Sequence, residues 1–161
     1  NSAYFYRLQE IKNVKHAIAY LGEKELRRFV LLVIISELAS DKPGELVRLG
    51  LVRAKFCELL ALASPHQKHA SELFVVGLFS LLDAMLDKDM QLIVGELPLE
   101  DQLKQALVAQ RGLYGKFLQL AISFERHQTS RFEALLAQLS IDQDRCAESY
   151  MSAVQYANGM L

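Results

Sequence analysis

The sequence has 161 residues, 52% of them apolar, which is enough for one sizeable core and too short for two full domains. Eighteen Lys and Arg face nineteen Asp and Glu, for a net charge of −1. With no basic block able to neutralise a run of phosphates, nucleic acid is not an expected partner. Cys57 and Cys146 are the only thiols. They suggest no disulfide framework and fit a reducing, cytoplasmic compartment. The longest apolar stretch, residues 73–82, is interrupted by Ser80 and falls short of the roughly 20 residues a membrane-spanning helix needs, so no membrane association is expected. The opening Asn-Ser-Ala-Tyr has no Met and no charged leader, and reads as a fragment of a longer protein without a signal peptide.

Apolar residues recur at three- and four-residue spacing with no sustained alternation, which predicts helices throughout and an all-α fold. The first helix is expected over 11–21, closed by Gly22. A second covers 23–39; its run 29–35 is β-branched enough for a strand, but the flanking residues extend it to helical length. Over 43–63, Leu49, Val52, Phe56, Leu59, Leu60 and Ala63 make an apolar stripe, with Arg48, Arg53, Lys55 and Glu58 mostly away from it. After the Ser64-Pro65 break, the least polar helix runs over 73–86 and is expected to be the central one. Gly77 within it predicts a close helix–helix approach. A short mixed segment covers 87–98, expected as a loop that can include a turn of helix. Helices follow over 99–109, 113–126, 132–139 and from 143 onward, the third of these starting at a Ser130–Glu133 capping box.

Little in the chain points to chemistry. There is no adjacent His-Asp pair, no phosphate-binding glycine loop and no G-x-S-x-G pattern. His66 and His69 have a spacing that can put two imidazoles on one helical face, yet just after Pro65 a solvated turn is the plainer reading. Cys57, among Phe56, Leu59 and Leu60, reads as a small buried hydrophobe. Ser80, Asp83 and Asp87 lie at i, i+3 and i+7 and so share a face of the most apolar helix, Asp87 near its end. Asp83 is expected to pair with an arginine of a neighbouring helix, most plausibly Arg53, because a lone carboxylate beside Leu81, Leu82 and Met85 would be costly.

The opening Asn1-Ser2-Ala3-Tyr4-Phe5, then Ala17-Ile18, Leu21-Gly22 and Leu26-Arg27, resembles the HDOD pattern. Further on, 53–58 and 72–86 resemble the HDOD domains that follow an EAL domain in bacterial two-domain signalling proteins. Gly112, Tyr114-Gly115, Phe124-Glu125, Tyr150 and Ala153 continue that pattern. HDOD domains are metal-free relatives of HD-type phosphohydrolases, in which the corresponding helix reads approximately G-L-L-H-D. Setting Gly77-Leu78-Phe79 on its G-L-L puts Ser80 in the slot of the metal-binding His and Leu81 in that of the Asp. Ala54 then falls near the slot of another ligand His.

The resemblance implies a single HDOD-like helical bundle over 1–161 with a dismantled metal site, its first helices missing from the fragment. It further implies no catalytic residue, no metal or other cofactor, and no enzymatic activity. The implied role is a signal-transduction module regulating an EAL-type cyclic di-GMP phosphodiesterase domain in the same polypeptide. The implied partner is that EAL domain or another signalling protein. A second copy of the chain is also possible, joined through the aromatic cluster of Tyr4, Phe5 and Tyr6. The competing reading is a residual metal-dependent phosphohydrolase using His66, His69, Asp83 and Asp87.

Overall fold

The computed structural model describes residues 44–160, and every regular element in that span is helical, as expected. The helices expected over 11–21 and 23–39, and the cluster of Tyr4, Phe5 and Tyr6, lie outside the described residues. In chain order the described elements are α1 (Gly44–Leu62), a 3-10 turn (Gln67–His69), α2 (Ala70–Phe79) and α3 (Leu82–Leu86). They continue with α4 (Met90–Glu96), α5 (Asp101–Ala109), α6 (Gly112–Glu125), α7 (Thr129–Leu139) and α8 (Gln143–Met160).

Among these elements α1, rather than the 73–86 segment, is the central one: α2, α6 and α8 all pack against it. Its sequence explains why. Val47, Leu51, Val52, Ala54, Phe56, Cys57, Leu60 and Ala61 cover more than one face and are all buried, so α1 has no broad solvated side. Arg53 and Glu58, expected away from the apolar stripe, are buried too, at 7% and 3% exposure. Cys146, Ala153 and Ala157, each fully buried, form the small-residue side of α8, the helix that lies against α1.

The crossing of α1 and α2 is close at Gly77, as its position in the sequence predicts. A Cβ there would meet the Ala54 Cα and the Arg53 carbonyl oxygen, each at 2.6 Å. A second close approach sits between α5 and α6, where a Cβ on Gly115 would lie 2.2 Å from the Gln110 carbonyl carbon. Gln110 itself adopts a left-handed conformation (φ 51°) that ends α5.

Three expectations need correction. The helix over 73–86 is broken: α2 ends at Phe79 and α3 begins at Leu82, with no Pro or Gly at the break. Residues 87–98 are more than a loop, since α4 occupies Met90–Glu96 and Asp89 caps it by accepting the Gln91 N–H at 2.8 Å. The Ser130–Glu133 capping box does not form, because α7 already starts at Thr129 with Gln128 before it. The stretch Gln67–Leu86 is also longer than the expected apolar run and has the length and composition to cross a membrane. It is, however, half buried within the bundle and divided at 80–81, which is how a core segment of a folded domain behaves.

Candidate functional site

The four positions that the sequence marks out, Arg53, Ala54, Ser80 and Leu81, come together where α1 crosses the end of α2. Ala54 is fully buried with its backbone against Gly77. Ser80 caps the C-terminal end of α2, and the partly buried Leu81 packs its side chain on the core.

Arg53 does not reach Asp83. It reaches across the bundle to Glu125, the last residue of α6, in a two-pronged contact: Nε donates to Oε1 at 3.1 Å and Nη2 to Oε2 at 2.6 Å. The remaining arm, Nη1, donates to the Ser80 hydroxyl oxygen at 2.9 Å, and that hydroxyl donates to the Gly77 carbonyl at 2.7 Å. With side-chain exposures of 8% and 12%, Arg53 and Glu125 form a desolvated pair whose forked geometry and extra hydroxyl acceptor offset the cost of burying two charges.

An aromatic cluster is built from residues next to this pair in the sequence. Phe56 on α1 lies one turn beyond Arg53, and its ring is 5.3 Å from both Phe124 on α6 and Tyr150 on α8. Phe124 also meets Phe132 on α7 at 5.5 Å, so four helices share one aromatic contact set. Burial pushes the nearby Cys57 thiol up to about 12, with the Arg53 charge only partly opposing it, so this sulfur is a protonated core atom.

Asp83, expected to be buried and paired, is instead exposed. Its carboxylate turns back on its own helix and accepts the Ala84 N–H at 2.9 Å. The expectation failed because the break at 80–81 turns α3 out of line with α2, so spacing along a continuous helix no longer tells which face Asp83 occupies.

His66 and His69 lie before the first residue of α2, and Asp83 and Asp87 lie beyond its last, so about 15 Å of helix separates the two pairs. The competing metal reading requires these groups to converge, and they do not. Among the described residues no three of His, Cys, Asp and Glu are grouped so that they could hold a metal ion. The His66 ring stands edge-on to Phe117, 5.9 Å away. His69 Nδ1 shares a hydrogen bond with the Tyr114 hydroxyl at 3.0 Å. Burial, followed by the charges of Glu72 and Glu100, holds that hydroxyl above its ordinary pKa, so it stays protonated.

Sequence reasoning missed the partnership of Glu125 with Arg53. The one available signal was Phe124-Glu125 itself, which the HDOD-like pattern includes. It also missed the second buried carboxylate, Glu58, which pairs with Lys55 at 2.9 Å while Lys55 Nζ sits 4.9 Å from the Tyr156 ring centre.

A model of the HDOD domain matches residues 1–89, more than half of the 161-residue chain. The chain belongs to the HDOD domain family. Its HDOD region therefore holds both partners of the α1–α2 crossing, while Glu125 lies beyond the matched segment. Over 147 residues, 91% of this chain and 34% of the relative, it is 35% identical to the cyclic di-GMP phosphodiesterase CdgJ of Vibrio cholerae serotype O1. It is also 30% identical over 164 residues to the uncharacterized protein YuxH of Bacillus subtilis strain 168, covering all of this chain and 39% of that protein. The HDOD chain thus spans little more than a third of the length of these relatives. No solved structure matches it.

The expectation that the chain is not an enzyme is corrected by these comparisons, since a relative matching 91% of it is named a cyclic di-GMP phosphodiesterase. The physical reason is one of extent. The 147 matched residues make up 34% of that relative, so its catalytic groups can lie in the two thirds of it that this chain does not span.

Proposed function

We propose that this chain is the HDOD portion of a cytoplasmic cyclic di-GMP signalling protein, in which it regulates an EAL-type phosphodiesterase domain of the same polypeptide. The observation that carries this reading is the 35% identity, over 91% of the chain, to a protein named a cyclic di-GMP phosphodiesterase. The α1–α2 crossing supports it. Ser80 fills the slot that the resemblance gives to a metal-binding His, and it is hydrogen-bonded to a guanidinium whose positive charge opposes a cation at that place. What the crossing does offer is a buried polar contact joining three helices, the kind of element through which a change of packing at one surface reaches another. The regulatory partner is the EAL domain, or a second copy of the chain where the full protein self-associates.

The test is cyclic di-GMP hydrolysis by the purified intact polypeptide before and after glutamine replaces the glutamate of the Glu-x-Leu motif that the proposed EAL-type domain would carry. Hydrolysis that is present in the parent and lost in the variant is expected. Hydrolysis that survives the replacement would contradict an EAL-type domain as its source.

A further inference from the structure

Nothing in the local sequence stops a helix at residues 80–81. Leu81-Leu82-Asp83-Ala84-Met85-Leu86 contains neither Pro nor Gly and includes Leu, Ala and Met, all strong helix formers. The backbone departs from helical geometry at two residues, slightly at Ser80 (φ −63°, ψ −7°) and strongly at Leu81 (φ −121°, ψ 11°). Side chains take up the backbone groups that the break releases. The Gly77 carbonyl, which in a continuous helix would accept the Leu81 N–H, accepts the Ser80 hydroxyl at 2.7 Å. The Ala84 N–H, which would donate to the Ser80 carbonyl, donates to Asp83 Oδ1 at 2.9 Å. Arg53, fixed by Glu125, holds the Ser80 hydroxyl in place.

We infer that the α2–α3 break is a latched joint with two arrangements, a broken one held by Ser80, Asp83 and the Arg53–Glu125 pair, and a continuous helix over 70–86. The Gly77 carbonyl and the Ala84 N–H have partners in both arrangements, so the latch decides between them and the propensity of the sequence does not. Going from one to the other re-aims α3 and carries α4, which packs on it, relative to α1 and α2. This goes beyond the regulatory role proposed above and holds whether or not an EAL domain is its target.

The experiment places spin labels on Ser71→Cys and Lys88→Cys in the full chain. Both positions are exposed, and the native thiols of Cys57 and Cys146 are fully buried. Along a continuous helix the two Cα atoms would stand about 26 Å apart. The parent is expected to show a main distance distribution shorter than that, and Ser80→Ala combined with Asp83→Ala is expected to shift it to the longer one. Ser80→Ala alone removes a single hydroxyl and covers the case in which the double variant does not fold, with a shift in the same direction expected. Ser80→Thr keeps the hydroxyl and should keep the parent's distribution. An unchanged distribution in Ser80→Ala, or a parent already at the longer distance, would overturn the joint.

Discussion

Arg53 and Glu125, 72 residues apart in sequence, meet in the interior of the bundle with Nη2 and Oε2 only 2.6 Å apart. Removing one member leaves the other charged, desolvated and without its partner. Glu125→Ala is expected to cost about 3–5 kcal/mol of stability. Arg53→Met combined with Glu125→Leu should recover most of that loss, because an apolar pair of similar volume removes both desolvation penalties. Urea unfolding of Arg53→Met, Glu125→Leu and their double variant measures the coupling directly.

Asp83 gives the contrasting case. Exposed and bonded only to its neighbour's N–H, it should tolerate Asp83→Ala with a change below about 1 kcal/mol, measured by the same unfolding experiment. A loss as large as that of Glu125→Ala would mean that Asp83 has a buried partner after all.

How far the sequence could be read depends on which interactions are local. Helical periodicity located α1 and α5 through α8 to within a few residues because each buries a repeating apolar stripe, such as Leu135, Leu136 and Leu139 on α7. The close approach at Gly77 was legible because a glycine in an otherwise apolar helix usually marks one. The break at 80–81 was not, since Ser80 is held there by Arg53, which reaches it from another helix and is itself fixed by Glu125 of a third. For the same reason the charge pairing was misassigned. Asp83 is nearer to Arg53 in sequence and Glu125 is nearer in space, and a single sequence encodes only the first distance.

Gly77 and Gly95 offer a matched pair of substitutions. At Gly77 a methyl group would run into the backbone of Ala54 and Arg53 at 2.6 Å, where no flexible side chain can yield, so Gly77→Ala should destabilise by about 1–3 kcal/mol or more. At Gly95, on the exposed side of α4, nothing lies within 4 Å of the added methyl. Gly95→Ala should therefore stabilise by up to about 1 kcal/mol through helix propensity alone. Thermal melts of both variants check the opposite signs.

Cys57 makes stability depend on pH in the alkaline range. In the folded chain its thiol is held protonated up to about 12, whereas in the unfolded chain it ionises at its ordinary, lower value. Between the two, the folded state binds more protons than the unfolded state, so stability falls as pH rises, by up to about 1.4 kcal/mol per pH unit from this group. Below the unfolded value the contribution is constant. Cys57→Ala should flatten the stability profile above about pH 9, read by urea midpoints across that range.

The proposed regulatory role is tested most directly by the rate at which the intact polypeptide hydrolyses cyclic di-GMP when the contact at the α1–α2 crossing is altered without unfolding the bundle. Arg53→Met combined with Glu125→Leu meets that condition if its unfolding midpoint matches the parent's. A severalfold change in the hydrolysis rate, in either direction, is the expected result. A rate equal to the parent's across substrate concentrations, in a variant shown to have lost the Arg53–Glu125 pair, would contradict regulation through this domain.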